Sequence, residues 1–226
     1  MSCPSVSVVI PTYQEAAVIE GLLSHLEGLG AEEIIVADGG SADGTAALAQ
    51  ARAKVIAGPA CRAIQMNLGA RAARGNVLLF LHADVWLGAG ALAAVRCAMQ
   101  DSATVGGNFD IRYEGGSVAA KVFSAVNRQR RRFGIFYGDS GIFCRRTVFE
   151  ALGGFPPWPV LEDYHFARRL HRAGKLAFLR EPIYVSDRRW RTAGLMPTLW
   201  AWVWIQGLYL AGVSPHRLAR RYRPVR

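Results

Sequence analysis

A five-residue apolar segment that ends in polar side chains constrains this chain more than any other feature. Residues 77–81 are all hydrophobic, and His82 and Asp84 follow closely. A run of this kind predicts a strand buried on both faces, as in parallel sheets. In open α/β sheets, ligands bind at the carboxyl ends of such strands. Because alternate side chains of extended backbone point the same way, His82 and Asp84 are expected to face one divalent cation.

Segments with strand and helix periodicity alternate along the first half of the chain. Strands are predicted at 6–10, 33–37, 55–57 and 77–81, and helices at 16–29, from about 43, and at 64–73. This alternation predicts an α/β fold in which a mostly parallel sheet is sandwiched by helices. The second half is predicted to hold an extended segment at 104–113, helices at 118–133 and 161–172, and strands at 142–144 and 176–185.

One domain over residues 1–226 is the simplest organisation for a chain of this length. We expect a ligand-binding half over about 1–100, a second half over about 101–190, and a hydrophobic helix with a basic tail over about 191–226. Residues 195–213 carry no charge and approach the ~20 residues of a spanning helix. Their tryptophans lie in the middle, whereas membrane aromatics prefer the ends. The segment is therefore expected to pack on the domain, on another subunit or on a membrane surface.

The net charge limits the classes of ligand to consider, and the cysteines indicate the cellular compartment. The net charge is +10, and most basic residues are arginines, whose planar fork suits bidentate phosphate binding. An anionic ligand such as a nucleotide diphosphate fits this charge, but so does anionic lipid, nucleic acid or a merely solvated surface. The four cysteines are scattered without zinc-site spacing. They are expected to be reduced thiols of a cytoplasmic protein.

Three carboxylates stand at predicted element ends. Asp38 follows the second strand and precedes two glycines, so it could bind a base or ribose, or only close an Asx turn. Glu162 and Asp163 open a predicted helix, and Asp163 shares its inward stripe with Phe166. Asp163 is therefore a candidate general base facing a cleft, and the alternative is that both acidic residues only favour a helix N-terminus. Arg62, near the start of the third helix, could meet phosphate there or be solvated.

Together these motifs resemble family 2 of the inverting glycosyltransferases, which have the GT-A fold. The resemblance is carried by residues 8–15 (VVIPTYQE), 36–45 (VADGGSADGT), 81–84 (LHAD) and the Glu-Asp pair at 162–163. It implies that Asp163 is the catalytic base and that Asp84, with His82 in place of the usual first aspartate, holds the metal. The nucleotide-binding residues that it implies are Pro11, Thr12, Tyr13, Glu15, Asp38, Arg62, Asn67 and Ala83.

A narrower resemblance joins residues 58–67 (GPACRAIQMN) with 188–190 (RRW). This pair is similar to a bacterial subgroup of the family that is associated with radical-SAM or selenium-domain genes. Groups expected to contact the acceptor or a phosphate are Glu162, Asp139, Arg188, Arg189 and Trp190.

The family resemblance implies a metal-dependent transferase. It would move a sugar from a nucleotide diphosphate, expected to be a UDP-sugar, to a hydroxyl of a small molecule or a lipid, with Mn²⁺ or Mg²⁺. It would be cytoplasmic or peripheral on the inner face of a membrane, could form a homodimer, and is not expected to bind nucleic acid.

Two other readings remain open on the residues alone. A nucleotidyltransferase would show a Gly-rich phosphate loop near the first strand, and residues 11–15 contain none. A non-catalytic basic protein that binds membrane surfaces or nucleic acid would leave the placement of Asp38, Asp84 and Asp163 unexplained.

Overall fold

The computed structural model describes residues 3–114, 118–186 and 195–221. Its centre is an eight-stranded sheet with the strand order β3-β2-β1-β4-β7-β6-β8-β5. The strands are β1 (Val6–Thr12), β2 (Glu33–Asp38), β3 (Lys54–Ala57), β4 (Val77–Phe80), β5 (Val85–Leu87), β6 (Thr104–Tyr113), β7 (Ile142–Arg145) and β8 (Lys175–Val185).

Strand direction divides the sheet into a parallel half and a mixed half. Strands β3, β2, β1 and β4 are parallel neighbours, as the βαβ pattern predicts. Strand β7 runs antiparallel to both β4 and β6, and β5 is antiparallel to β8 at the edge. The register of β6 against β8 is irregular at Thr104/Gly106 and Asn108/Asp110, which bends these long strands. The sheet is therefore mixed, although six of its eight strands run one way.

Helices cover both faces of the sheet. They are α1 (Ala16–Gly28), α2 (Thr45–Ala49), α3 (Arg62–Ala72), α4 (Ala91–Ala98), α5 (Val118–Arg130), α6 (Arg146–Ala151), α7 (Glu162–Ala173), α8 (Leu195–Leu210) and α9 (Pro215–Arg221). Two short 3₁₀ turns, Arg131–Phe133 and Gly138–Ser140, lie between α5 and β7. The helix predicted over 118–133 is thus an α-helix that tightens into a 3₁₀ turn in its last residues.

Strand β4 separates two apolar cores, as its hydrophobic run predicts. Val77 and Leu79 pack into a core with α1 and α4, whereas Leu78 and Phe80 pack into a core with α3, α6 and α7. All four side chains are at most 2 % exposed. Both faces of the strand are therefore covered.

Helix α8 packs on the domain beside α7 and the Gly138–Ser140 turn. Gln206 accepts a hydrogen bond from the Tyr137 hydroxyl (2.7 Å), and the hydroxyl of Tyr209 lies 3.0 Å from Nδ1 of His165. This docking is one of the arrangements expected for the C-terminal hydrophobic segment. Within the three described ranges, no helix combines the length and the hydropathy needed to cross a membrane.

Candidate functional site

The carboxyl ends of β1 and β2 lie side by side and form the first part of the site. Pro11 pairs with Ala37, and Thr12 with Asp38. The buried amide of Gln65, from α3, donates from Nε2 to the carbonyls of Thr12 (2.6 Å) and Ala37 (2.8 Å). One helix side chain therefore fixes the spacing of the two strand ends.

Asp38 is buried and shapes the loop that follows β2. Its Oδ1 accepts hydrogen bonds from the hydroxyls of Thr12 (3.0 Å) and Ser41 (2.6 Å). Its Oδ2 accepts from the backbone N–H groups of Gly40 (3.0 Å) and Ser41 (2.8 Å). These four bonds occupy the four acceptor sites of a carboxylate. The Asx-turn alternative is therefore present in the structure, and direct contact of Asp38 with a nucleotide stays a prediction.

The loop after β1 runs next to the Asp38 turn. The ring of Tyr13 lies against Gly39, because a Cβ built on that glycine would be 3.3 Å from Tyr13 Cδ2. Gln14 adopts the left-handed region (φ 61°), and Glu15 precedes α1 with its backbone N–H bonded to Thr45 Oγ1 (2.9 Å). The residues predicted to bind nucleotide in this loop thus border the end of β2.

Glu162 and Asp163 begin α7 and meet Arg62, the first residue of α3. Arg62 Nε donates to Glu162 Oε1 (2.5 Å), and its Nη2 lies 4.0 Å from Asp163 Oδ2. Glu162 is fully buried and Asp163 is 6 % exposed. Glu162 thus pairs with Arg62, and its contact with the acceptor or a phosphate stays a prediction. As the first helical residue it faces inward, where it holds Arg62.

Burial and charge act in opposite directions on this cluster. Burial raises the pKa of the Glu162 carboxyl, although Arg62 opposes the rise. Burial lowers the pKa of Arg62, but the carboxylates of Glu162, Asp163 and Asp139 outweigh it and hold the pKa above its usual value. The Arg62 side chain is still 43 % exposed. A permanent positive charge is therefore held at the N-terminus of α3, with part of the side chain open to solvent.

Gly138 is the point where the end of β4 meets the beginning of α7. Its backbone N–H donates to Asp163 Oδ2 (2.8 Å). A Cβ at Gly138 would lie 2.7 Å from His82 Nε2 and 3.1 Å from Asp163 Oδ2, so a side chain there would displace the imidazole. His82, Asp163 and the turn that contains Asp139 are thus brought together as predicted residues of one site. The sequence singles out a Gly-rich turn at 137–141 but does not indicate that Gly138 supports Asp163.

The prediction that His82 and Asp84 share extended backbone is wrong. Strand β4 ends at Phe80, and His82 to Asp84 form a turn in which the Val85 N–H donates to the His82 carbonyl (3.2 Å). Ala83 is buried in this turn, and Asp84 is exposed. The last residue of β4, Phe80, is paired with Ile142, the first residue of β7.

The residues near the end of β4 fit a metal that is shared with a substrate. In the described part of the chain, no three His, Cys, Asp or Glu side chains cluster as a metal cage. Mg²⁺ usually binds through one or two carboxylates plus the phosphates of a substrate rather than in an all-protein cage. The exposed carboxylate of Asp84, with His82 in the same turn, supplies that kind of donor set.

Asn67, which is predicted to contact the nucleotide, bonds to the backbone of the chain. Its Nδ2 donates to the Phe155 carbonyl (2.8 Å), and its Oδ1 accepts from the Phe155 N–H (3.0 Å). Both ends of the amide are thus engaged with backbone, which fixes the loop before α7. The predicted contacts of Arg188, Arg189 and Trp190 lie outside the described residues.

An aromatic wall stands beside Asp163. Tyr137 stacks on Tyr164 with the ring centroids 5.5 Å apart, and the Arg130 guanidinium lies 4.8 Å from the Tyr137 centroid. Burial raises the pKa of Tyr137, so its hydroxyl stays protonated and donates to Gln206. The wall thus joins α7 to α8. Nothing in the sequence pattern indicates that pairing.

Comparison of the sequence with known proteins identifies its family. The model of the family described as Glycosyl transferase family 2 matches residues 7–152. The chain belongs to glycosyltransferase family 2. Glycosyltransferase AglE from Haloferax volcanii is 28 % identical over 203 residues, which cover 80 % of this chain and 66 % of AglE. The chain spans just under two thirds of the length of that relative.

Solved structures of glycosyltransferases share the fold. The mannosyltransferase PcManGT from Pyrobaculum calidifontis, in complex with GDP-Man and Mn²⁺, has a TM-score of 0.65 at 21 % identity, over 83 % of this chain and 57 % of its own. TarS 1–349 from S. aureus, in complex with UDP-GlcNAc, has a TM-score of 0.67 at 17 % identity, over 81 % and 58 % of the two chains. At these identities the similarity shows the fold alone, and it agrees with the GT-A expectation.

Family membership favours one of the interpretations that the residues leave open. It favours the sugar transferase over a nucleotidyltransferase and over a non-catalytic basic protein. The narrower resemblance to the radical-SAM-associated subgroup stays a prediction.

Proposed function

We propose that this chain transfers a sugar from a nucleotide diphosphate donor, preferably a UDP-sugar, to an acceptor hydroxyl with inversion at the anomeric carbon. The observation that carries the proposal is the meeting of Asp163, Arg62 and the His82 turn at the carboxyl edge of the sheet. Fold relatives in complex with GDP-Man or UDP-GlcNAc support the class of donor.

Asp163 is proposed as the general base. The Gly138 N–H fixes Oδ2, and the Tyr164 N–H fixes Oδ1 at 2.7 Å, so the carboxylate has one defined orientation. It takes the proton of the acceptor hydroxyl while the hydroxyl oxygen attacks the anomeric carbon. The bond from that carbon to the diphosphate oxygen breaks in the same displacement, which inverts the configuration. A positioned base of this kind contributes about 10²–10⁴ in rate.

Arg62 is proposed to stabilise the leaving nucleotide diphosphate. It stands at the N-terminus of α3, where free backbone N–H groups and the helix dipole also favour phosphate. Charge develops on the diphosphate as the glycosidic bond breaks, and a preorganised cation lowers the energy of that state. Asp84, with His82, would hold Mn²⁺ or Mg²⁺, which when bound offsets the same charge. Relatives in complex with Mn²⁺ support this assignment.

The test separates nucleotide binding from chemistry. Thermal unfolding with UDP, GDP, CDP or dTDP, each with and without Mn²⁺, identifies the donor, because a ligand at about 100 times its Kd adds about 2.7 kcal/mol. Sugar transfer and nucleotide affinity are then compared for Asp163→Asn. We expect transfer to fall by about 10²–10⁴ with affinity nearly unchanged. An equal loss of both would remove Asp163 from the base role.

A further inference from the structure

Helix α8 is hydrophobic on all sides, and one side packs on the domain while another is exposed. Gln206 and Tyr209 point to the domain, where they bond to Tyr137 and His165. The opposite stripe is apolar and open, with Trp200 69 %, Val203 64 %, Trp204 52 % and Leu210 61 % exposed. The two tryptophan rings stack with the centroids 6.3 Å apart. Val203 and Trp204 lie three and four positions after Trp200, and Leu210 lies seven after Val203, so these side chains share one side of the helix.

The C-terminal part of the sequence is rich in arginine. Residues 188–226 contain eight arginines and no aspartate or glutamate. Helix α9, which follows directly, exposes His216, Arg217 and Arg220. Tryptophan is favoured at the depth of the lipid headgroups, and arginines close to a membrane surface are attracted to anionic lipid.

We propose that the Trp200–Leu210 stripe of α8, with the arginines of α9, docks on the surface of a bilayer that contains anionic lipid. The inner face of the same helix contacts Tyr137, and Gly138, the next residue, holds Asp163. A helix with its side chains is about 10–12 Å across. Docking therefore brings the aromatic wall beside Asp163 to within about one helix diameter of the lipid headgroups.

A second copy of the chain is the less suitable occupant. In a two-fold dimer the same patch lies on both sides of the interface. The segment would then face itself, and its arginines would meet no acidic partner from residues 188–226. Anionic headgroups supply the missing negative charge, and tryptophan is favoured at their depth.

The experiment is flotation of the protein with phosphatidylcholine vesicles, with and without phosphatidylserine, at low and high salt. We expect binding to the anionic vesicles that weakens as salt rises. Trp200→Ser/Trp204→Ser should lower the partition coefficient about tenfold or more. Arg217→Gln/Arg220→Gln should lower it by up to about 25-fold on anionic vesicles, at about fivefold for each arginine.

A matched variant controls for total charge. Lys54→Gln/Arg71→Gln also removes two positive charges, from exposed residues at the edge where β3 and β4 begin. It should bind vesicles as the unaltered protein does. Equal loss in both charge variants, or no vesicle binding at all, would overturn the proposal. So would a dimer that the tryptophan substitutions dissociate and that does not float.

Vesicle binding needs no turnover, so this test is independent of the proposed function. Nucleotide titration of the same variants should give unchanged affinity. A protein that floats with vesicles but binds no nucleotide would refute the proposed function and support the membrane proposal. A protein that binds nucleotide but does not float would refute the membrane proposal and leave the proposed function standing.

Discussion

Removing Arg62 should make the stability of this protein depend on pH in a defined way. In Arg62→Met, Glu162 stays fully buried and loses its ionic partner. Breaking a buried ion pair at one end costs about 3–5 kcal/mol. Because the arginine side chain is 43 % exposed, solvent screens the pair. We therefore expect a loss of about 2–3 kcal/mol near neutral pH, or about 5–10 °C in Tm for a chain of this length.

The pKa of Glu162 gives the sign of the pH dependence. Burial already holds this pKa above its usual value, and loss of the opposing Arg62 raises it further. A carboxyl with a higher pKa in the folded than in the unfolded state binds its proton more tightly when folded. Its contribution to stability is then complete below the unfolded pKa and is lost as pH rises through the folded pKa. Each pKa unit between the two states corresponds to about 1.4 kcal/mol.

Urea unfolding at a series of pH values measures this effect. Relative to the unaltered protein, Arg62→Met should be least destabilised in acid and should lose stability as the pH rises above the unfolded pKa of Glu162. The matched control, Arg62→Met/Glu162→Gln, has no carboxyl at this position and should lack the added dependence. If the single and double variants lose the same free energy at every pH, the carboxyl of Glu162 is not desolvated as described, and the reasoning fails.

Three further substitutions test separate parts of the site. Gly138→Ala should reduce transfer and cost about 1–3 kcal/mol of stability, because its Cβ would lie 2.7 Å from an imidazole nitrogen. Gly207→Ala, where a Cβ meets nothing within 4 Å, is the control and should be neutral or stabilising in urea unfolding. Asn67→Ala should lower stability by about 1–3 kcal/mol through two unpaired backbone groups, and calorimetric titration should find nucleotide affinity unchanged. Asp84→Ala should weaken nucleotide binding in the presence of Mn²⁺ but not in its absence. Equal binding by both proteins with Mn²⁺ would contradict the metal assignment.

Local patterns predicted the parts of the fold that depend on burial. The run at 77–81 is apolar at every position, and both faces of β4 are indeed covered. The inward stripe of α7 holds Asp163 and Phe166 because helical periodicity fixes which side chains share a face. These features follow from a few neighbouring residues.

The features that the sequence could not predict depend on contacts between residues that lie far apart along the chain. The antiparallel placement of β7 depends on which strands find each other, and short apolar runs do not encode direction. Glu162 turned inward and Asn67 bonded to backbone because of partners 100 and 88 residues away. The turn at His82 follows the end of β4, whose last residue pairs with the first residue of β7. Residue type and spacing gave candidate groups, but the partner of each group came only from the fold.

Arg62 and Glu162 are in contact but lie far apart along the chain, which has a consequence for the order of folding. Their contact closes a loop of about a hundred residues, and loop closure costs conformational entropy before the contact gives any stability back. The strand ends of β1 and β2 and the amide of Gln65 join segments that are much closer along the chain. During refolding, the edge of the sheet where the nucleotide would bind is expected to form first. Asp163, the proposed base, is expected to reach its place only when the two halves of the chain have met.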